Sequence, residues 1–293
     1  MSENKCKSDD SCQACGDAEK CSQTEKEAHE AKLIAGKMGD IKHKFLVISG
    51  KGGVGKTSVS VNMASTLASQ GFKVGILDAD IHGPNIPKML GVDGQKPLAG
   101  DGNSILPIAV TDNLRVMSVA FFLSNTEDAI VWRGPMKHGL LKQFLGEVHW
   151  GELDYLIVDL PPGTGDEALS ISHLMKDVDA AVVVTTPQEV ALLDSRKSIT
   201  FCKEIKIPTI GVVENMSGLI CPHCKEVVDL FKTGGGEKIA VEMKVPFLGR
   251  IPLDPEMVIC ADEGNAFVEN HPDSVAAKAF TSVAEEWKKR LDL

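Results

Sequence analysis

No stretch of this chain stays apolar for the roughly 18–20 residues that a membrane-spanning helix needs. Its opening residues, MSENKCKSDDSCQACGDAEKC, contain no apolar run of the kind a secretory signal requires. A cytoplasmic protein is therefore expected, with no membrane as partner. Positive charge is also scarce: 31 Lys and Arg against 41 Asp and Glu leave a formal net charge of −10. Nucleic acid is accordingly not expected as a partner, because phosphate recognition needs an excess of cations on one face. There is no internal repeat. What remains is an ordinary globular composition, 43% hydrophobic and 25% charged over 293 residues. That length suits one large α/β domain or two modest ones.

The eight cysteines stand out for a cytoplasmic chain. In that compartment they read as metal ligands or redox groups, with some merely buried, rather than as disulfides. Residues 1–40 hold four of the eight, with many charges and almost no large apolar side chains. This segment cannot form a core unaided and reads as a tail or a metal-stapled knot.

Residues 41–293 have a different texture. Short Val/Ile/Leu-rich runs at 45–49, 74–78, 155–159, 181–185, 210–214 and 246–251 lack polar alternation, as expected of parallel strands covered on both faces. Helical periods lie between them, at 56–70 and 189–205 among others. A last helix at about 274–291 carries Val275, Ala276, Ala279, Phe280, Val283 and Trp287 on one stripe. Its mixed charges favour docking on the sheet over lying on a membrane. The alternation predicts a doubly wound, mostly parallel α/β sheet with helices on both faces.

The strongest motif is Gly50-Lys51-Gly52-Gly53-Val54-Gly55-Lys56-Thr57, which fits G-x-x-x-x-G-K-[ST] between a predicted strand and a predicted helix. Its glycines let backbone N–H groups curl around phosphate oxygens, and the helix start adds its dipole. Lys56 is expected on the β- and γ-phosphates of ATP, and Thr57 on Mg²⁺. Asp159 ends an apolar strand, the usual place for an acid that holds Mg²⁺, and runs into Leu160-Pro161-Pro162-Gly163-Thr164-Gly165. Asp78 and Asp80 end another strand, and one of these acids could position the attacking water. Cys221-Pro-His-Cys224 presents two thiolates to one metal or cluster, with His223 as a spacer. A zinc pair, a redox dithiol and an inert pair are the alternatives, and two subunits across a symmetry axis would supply four thiolates. Cys202 and Cys260 are isolated and read as structural.

The extra lysine of the phosphate loop, Lys51, resembles the signature lysine of the deviant Walker A ATPases. That resemblance implies two subunits face to face, with Lys51 crossing to the partner's nucleotide. It also implies that Asp80 activates water and that Asn215, in Glu214-Asn215-Met216-Ser217, reads adenine. Further motifs narrow the likeness: Asp78-Ala-Asp80-Ile-His82-Gly-Pro-Asn85, Val158-Asp159-Leu-Pro-Pro-Gly-Thr-Gly-Asp166, the cysteine pair, and Gly249-Arg250-Ile-Pro-Leu-Asp254-Pro255. Over about residues 40–293 the chain resembles the Mrp/ApbC family of iron–sulfur carrier ATPases. The resemblance implies a homodimer that binds a 4Fe–4S cluster between paired Cys221 and Cys224, passes it to apoprotein acceptors, and hydrolyses ATP slowly. Cys6, Cys12, Cys15 and Cys21 partly match the N-terminal motif of the family's scaffold branch, with Cys6 closer than that branch has it. A second cluster, a zinc ion or a disordered tail are the readings. The rival functions are a spatial-organisation ATPase of the septum or partition kind and an ATP-gated electron donor like the nitrogenase iron protein.

Overall fold

The computed structural model describes residues 21–101, 104–123, 134–221, 223–224 and 226–291. The described chain opens with helix α1 (Gln23–Gly39). Ser22 caps it: its hydroxyl accepts the Glu25 N–H at 3.3 Å, while the Glu25 carboxylate takes the Ser22 N–H at 2.8 Å. The helix buries His29, Ile34 and Met38. The segment set apart by composition as residues 1–40 thus ends in a helix docked on the main body. Averaging over forty polar residues hides the i, i+4 pair Ile34 and Met38 and the capping box. Cys6, Cys12 and Cys15 lie outside the described residues; Cys21 is half-buried just before the cap.

After α1 come β1 (Ile41–Ile48), α2 (Lys56–Ser69), β2 (Val74–Asp78) and the short α3 (Ile86–Met89). The short strands β3 (Leu98–Ala99), β4 (Ile105–Leu106) and β5 (Ile108–Ala109) precede β6 (Leu114–Ser118). Next are α4 (Gly134–Gly146), β7 (Leu153–Asp159), α5 (Asp166–Met175), β8 (Ala180–Thr185), α6 (Glu189–Glu204) and β9 (Thr209–Glu214). The hairpin strands β10 (Leu219–Ile220) and β11 (Val227–Val228) follow, then α7 (Gly235–Met243), β12 (Phe247–Arg250), α8 (Pro255–Glu263), α9 (Phe267–Asn270) and α10 (Val275–Arg290).

The main sheet runs β12-β9-β8-β1-β7-β2-β6-β5. Its pairings are parallel except β5 on β6 at one edge. The predicted doubly wound sheet is therefore what forms, and each predicted strand lies within a residue or a few of an observed one. β6 carries no clean apolar run in the sequence, because exposed Arg115 interrupts it and donates to the Trp150 carbonyl at 2.8 Å. In α10 the stripe Ala276, Phe280, Val283 and Trp287 is buried, with Trp287 edge-on to Phe45 of β1 at 5.4 Å. Val275, expected on that stripe, instead points outward at the helix start, 57% exposed. No helix among the described residues is long and apolar enough to cross a membrane.

The strand order turns at β1, and ligands of such sheets gather at the carboxyl ends beside that turn. Register does the rest. Asp78 sits opposite Asp159 across β2 and β7, and Glu214 opposite Thr185 across β9 and β8. Every acid that ends a strand thus faces the same edge.

Candidate nucleotide and cluster sites

The loop between β1 and α2 is held open by backbone geometry. Gly55, at φ 78°, caps α2 in the left-handed region with no side-chain cap bond. The N–H groups of the first helical turn are therefore left for a ligand. A Cβ on Gly55 would collide with the Asn215 amide, and one on Gly50 with the backbone of Asp194 on α6. The loop encloses a cavity of about 200 Å³ walled by residues 51–58, Asp80 and Pro162. Gly52, Gly53, Val54, Lys56 and Thr57 all line it, and Gly50 packs against α6 beneath the loop.

At the floor, Lys56 Nζ meets Asp159 Oδ2 at 2.6 Å, with the two side chains 6% and 0% exposed. Thr57 donates to the same oxygen at 2.8 Å and Ser60 to the other at 2.6 Å. Three donors thus converge on this buried carboxylate. Asp78 and Asp80, read together in the sequence, part company here. Asp78 is fully buried; burial, and then the neighbouring Asp159 charge, push its carboxyl well above the usual range. It accepts from Ser118 Oγ at 3.0 Å and from the Ile86 N–H at 3.3 Å. Asp80 lies in the cavity wall. Burial raises its pKa, while the Lys56 charge and the N–H groups of His82 and Gly83 pull it back. Of the two acids, Asp80 is thus the one that lines the phosphate-loop cavity. Lys51, also in the wall, makes no hydrogen bond or ion pair through its side chain among the described residues and is free to reach outward.

A second cavity, of about 380 Å³, shares Ser58 with the first. Pro252, Leu253, Asp254 and Met257 wall it, and its size suits a nucleoside. Asn215 lines it, and its amide also donates to the Val54 carbonyl at 2.9 Å, stitching the pocket to the phosphate loop. The Pro252–Asp254 wall had a motif but no assigned role in the sequence; only its lying beside Asn215 gives it one.

Cys221 and Cys224 ride on the β10–β11 hairpin, the first half-buried and the second exposed. The Cys221 N–H closes the hairpin onto the Glu226 carbonyl at 2.9 Å. At its base, Ser217 N–H donates to Ile251 O at 2.9 Å and Leu253 N–H to Gly218 O at 2.8 Å. The hairpin is thereby bonded to the nucleoside-pocket wall. Beneath it, buried Glu214 accepts from Ser217 Oγ at 2.5 Å and from the N–H groups of Gly234 and Gly236 at the start of α7. Among the described residues, no group of three or more His, Cys, Asp or Glu converges as a metal site would require. Cys202 and Cys260 are buried elsewhere; burial drives the Cys202 thiol up to about 12, and Cys260 also upward. Both stay protonated, as structural cysteines do.

Residues 40–288 match the family described as the NUBPL iron-transfer P-loop NTPases, of the ParA group. The chain is 51% identical over 285 residues to the iron-sulfur cluster carrier protein of Methanocaldococcus jannaschii, covering 97% of each. Among solved structures it resembles a nucleotide-binding protein from Archaeoglobus fulgidus in complex with ADP, at TM-score 0.72 and 38% identity, over 80% of this chain and 92% of that one. It also superposes on the cell-division ATPase MinD of Pyrococcus furiosus at TM-score 0.60 and 24% identity, over 85% and 99% of the two chains. That last likeness is one of fold alone.

Proposed function

The chain belongs to the NUBPL iron-transfer P-loop NTPase family, and from that premise we propose that it carries an iron–sulfur cluster and hands it to apoproteins under the control of ATP. The cargo is a 4Fe–4S cluster held by Cys221 and Cys224 of two copies of the chain. One observation carries this reading: the cysteine hairpin is bonded through Gly218 to Leu253, which walls the second cavity, and through Ser217 to Ile251 just before it. Filling that pocket therefore bears on the ground the cysteines stand on. A two-thiol site also needs a second copy to complete a tetrathiolate set, and a ligand set split between copies can open when their interface shifts.

Hydrolysis follows from the phosphate cavity. Thr57 Oγ1 and Asp159 Oδ2, 2.8 Å apart, are hard oxygen donors that fit Mg²⁺ and would hold it. When bound there with the nucleotide, Mg²⁺ neutralises charge on the β- and γ-phosphates. Lys56 leaves Asp159 for the phosphates. Asp80 accepts a proton from the attacking water as the water oxygen bonds to the γ-phosphorus and the bond to the β–γ bridging oxygen breaks, giving ADP and phosphate. Lys51 reaches the nucleotide of the second copy and balances the charge of the transition state. In this reading the turnover is slow and serves the interface rather than bulk ATP consumption.

A spatial-organisation ATPase would share the phosphate cavity but has no use for the cysteine hairpin. An electron donor would keep its cluster. The test is anaerobic reconstitution with iron and sulfide, followed by transfer to an apo-enzyme with and without ATP. Transfer whose rate depends on ATP is expected. A featureless spectrum after reconstitution, or a cluster that changes redox state with ATP yet never leaves, would overturn the carrier reading.

A further inference from the structure

Two loops flank the reacting phosphate. One follows β2 and carries Asp80 and His82; the other follows Asp159 and leads into α5, whose first turn holds Asp166 and Glu167. A single side chain touches both. Lys137, on α4, places Nζ 2.6 Å from His82 Nε2 and 2.7 Å from Glu167 Oε1. Lys137 and Glu167 are 16% and 20% exposed, so this is a partly desolvated pair rather than a solvent-facing one. The hydrogen bond from Lys137 holds the Glu167 carboxyl below its ordinary value, against the rise that burial would cause. His82 in turn is no bystander. It sits in the turn that carries Asp80, closed by the Gly83 N–H on the Asp80 carbonyl at 3.2 Å.

Lys137 itself stands on firm ground. Leu141, Phe144 and Leu145 bury one face of α4 in the core, and Lys142 ties α4 back to α1 through Glu30 at 2.8 Å. A cation fixed in this way sets the separation of the two loops, because it cannot follow either one without releasing the other. The chain of contact runs from Lys137 to the His82 ring and along the Asp80–Gly83 turn to the residue proposed to take the proton.

We propose that Lys137 is a positioning residue for ATP hydrolysis, yoking the Asp80 loop to the α5 loop so that Asp80 and the Asp159 side of the site close on the γ-phosphate together. The inference rests on the hydrolysis reading above. It touches neither nucleoside nor phosphate directly, so its mark is a split between turnover and binding. Lys137→Met should lower kcat for ATP by roughly tenfold, the scale on which small misplacements act, with KM and ADP affinity within about twofold of the parent. Lys137→Arg should restore most of the loss, since a guanidinium can still reach both partners. Glu167→Gln weakens the same yoke from its far side. Combined with Lys137→Met it should add little, as members of one network do. Parent turnover is measured first. Absence of parent turnover would sink the hydrolysis reading and this inference together. A parent that turns over, with Lys137→Met keeping its kcat, or losing ADP affinity in step with kcat, or combining additively with Glu167→Gln, would overturn the inference alone.

Discussion

The nucleotide end and the cysteine end of this molecule are built on opposite plans. At the nucleotide end, Lys56, Thr57 and Ser60 converge on one buried carboxylate at 2.6–2.8 Å, between strands of the sheet centre. The side chains proposed for phosphate chemistry are thus gathered before any ligand arrives, with Lys56 resting on Asp159. At the cysteine end, two strands of two residues each stand off the sheet, with Val227 and Val228 68% and 43% exposed. Two thiols stand there, in the reading proposed above half of a cluster site. On that reading the difference separates what one chain does alone from what it does only in company: phosphate binding is finished within the chain, whereas cluster binding waits on a second copy and is therefore adjustable.

The largest expected effect lies at the incomplete end. Replacing both Cys221 and Cys224 by Ser should abolish transfer to an apo-acceptor while leaving ATP affinity unchanged, because neither thiol touches the nucleotide cavities. If Cys6, Cys12, Cys15 and Cys21 of each chain hold a cluster of their own, the variant should still retain roughly two thirds of the reconstituted iron, since at one cluster per four thiolates a dimer has two such clusters beside one bridging cluster. Iron content and transfer rate are measured on the same sample. Transfer at the parent rate would break the comparison, since the hairpin would then be ornament.

The next effect divides the finished end itself. Lys56→Ala should weaken ATP binding about tenfold to a hundredfold, the loss of one or more charge-assisted hydrogen bonds. It should also lower the melting temperature of the ligand-free protein, for Asp159 loses its buried partner. Lys51→Ala should leave both affinity and melting alone and reduce turnover by roughly a thousandfold, as loss of a trans-acting cation does. Titration calorimetry and a turnover assay on each variant separate the two lysines. Ordinary turnover in Lys51→Ala would mean that the nucleotide end is finished within one chain after all, catalysis included.

Much of this was legible in the sequence, and the reason is locality. The phosphate loop, the apolar strands ending in Asp78, Asp159 and Glu214, and the stripe of α10 are each written in contiguous or periodic residues. What escaped was written across distance. β6 hides behind Arg115, whose partner Trp150 is a separate stretch of chain. The docking of α1 depends on α4, over a hundred positions away at Lys142 and Glu30. Asp78 and Asp80 look alike as strand-end acids, yet only burial tells them apart, and burial of a carboxylate is decided by what Ser118 and Asp159 do around it. Lys137 carries no motif at all, because its meaning lies in two partners, 55 and 30 residues away.

The smallest effect sharpens the same contrast through pH. Asp78 has a folded-state pKa raised above its unfolded value, by burial first and by the Asp159 charge second. The fold therefore favours its neutral form. Stability from this group is fully present below the unfolded pKa and is lost as the pH rises through the folded one. Asp78→Asn keeps an acceptor for Ser118 and Ile86 while removing the ionisable proton, so the melting temperature should fall less steeply as pH rises across that window. At neutral pH the variant should melt no lower than the parent, because the repulsion with Asp159 is gone. Cys224→Ser, on the exposed hairpin, should leave the whole melting profile as it was. Thermal melts of the three ligand-free proteins between acid and neutral pH decide the matter. An unchanged slope in Asp78→Asn, or a changed one in Cys224→Ser, would show that the titrating strain of the molecule does not reside at its nucleotide end.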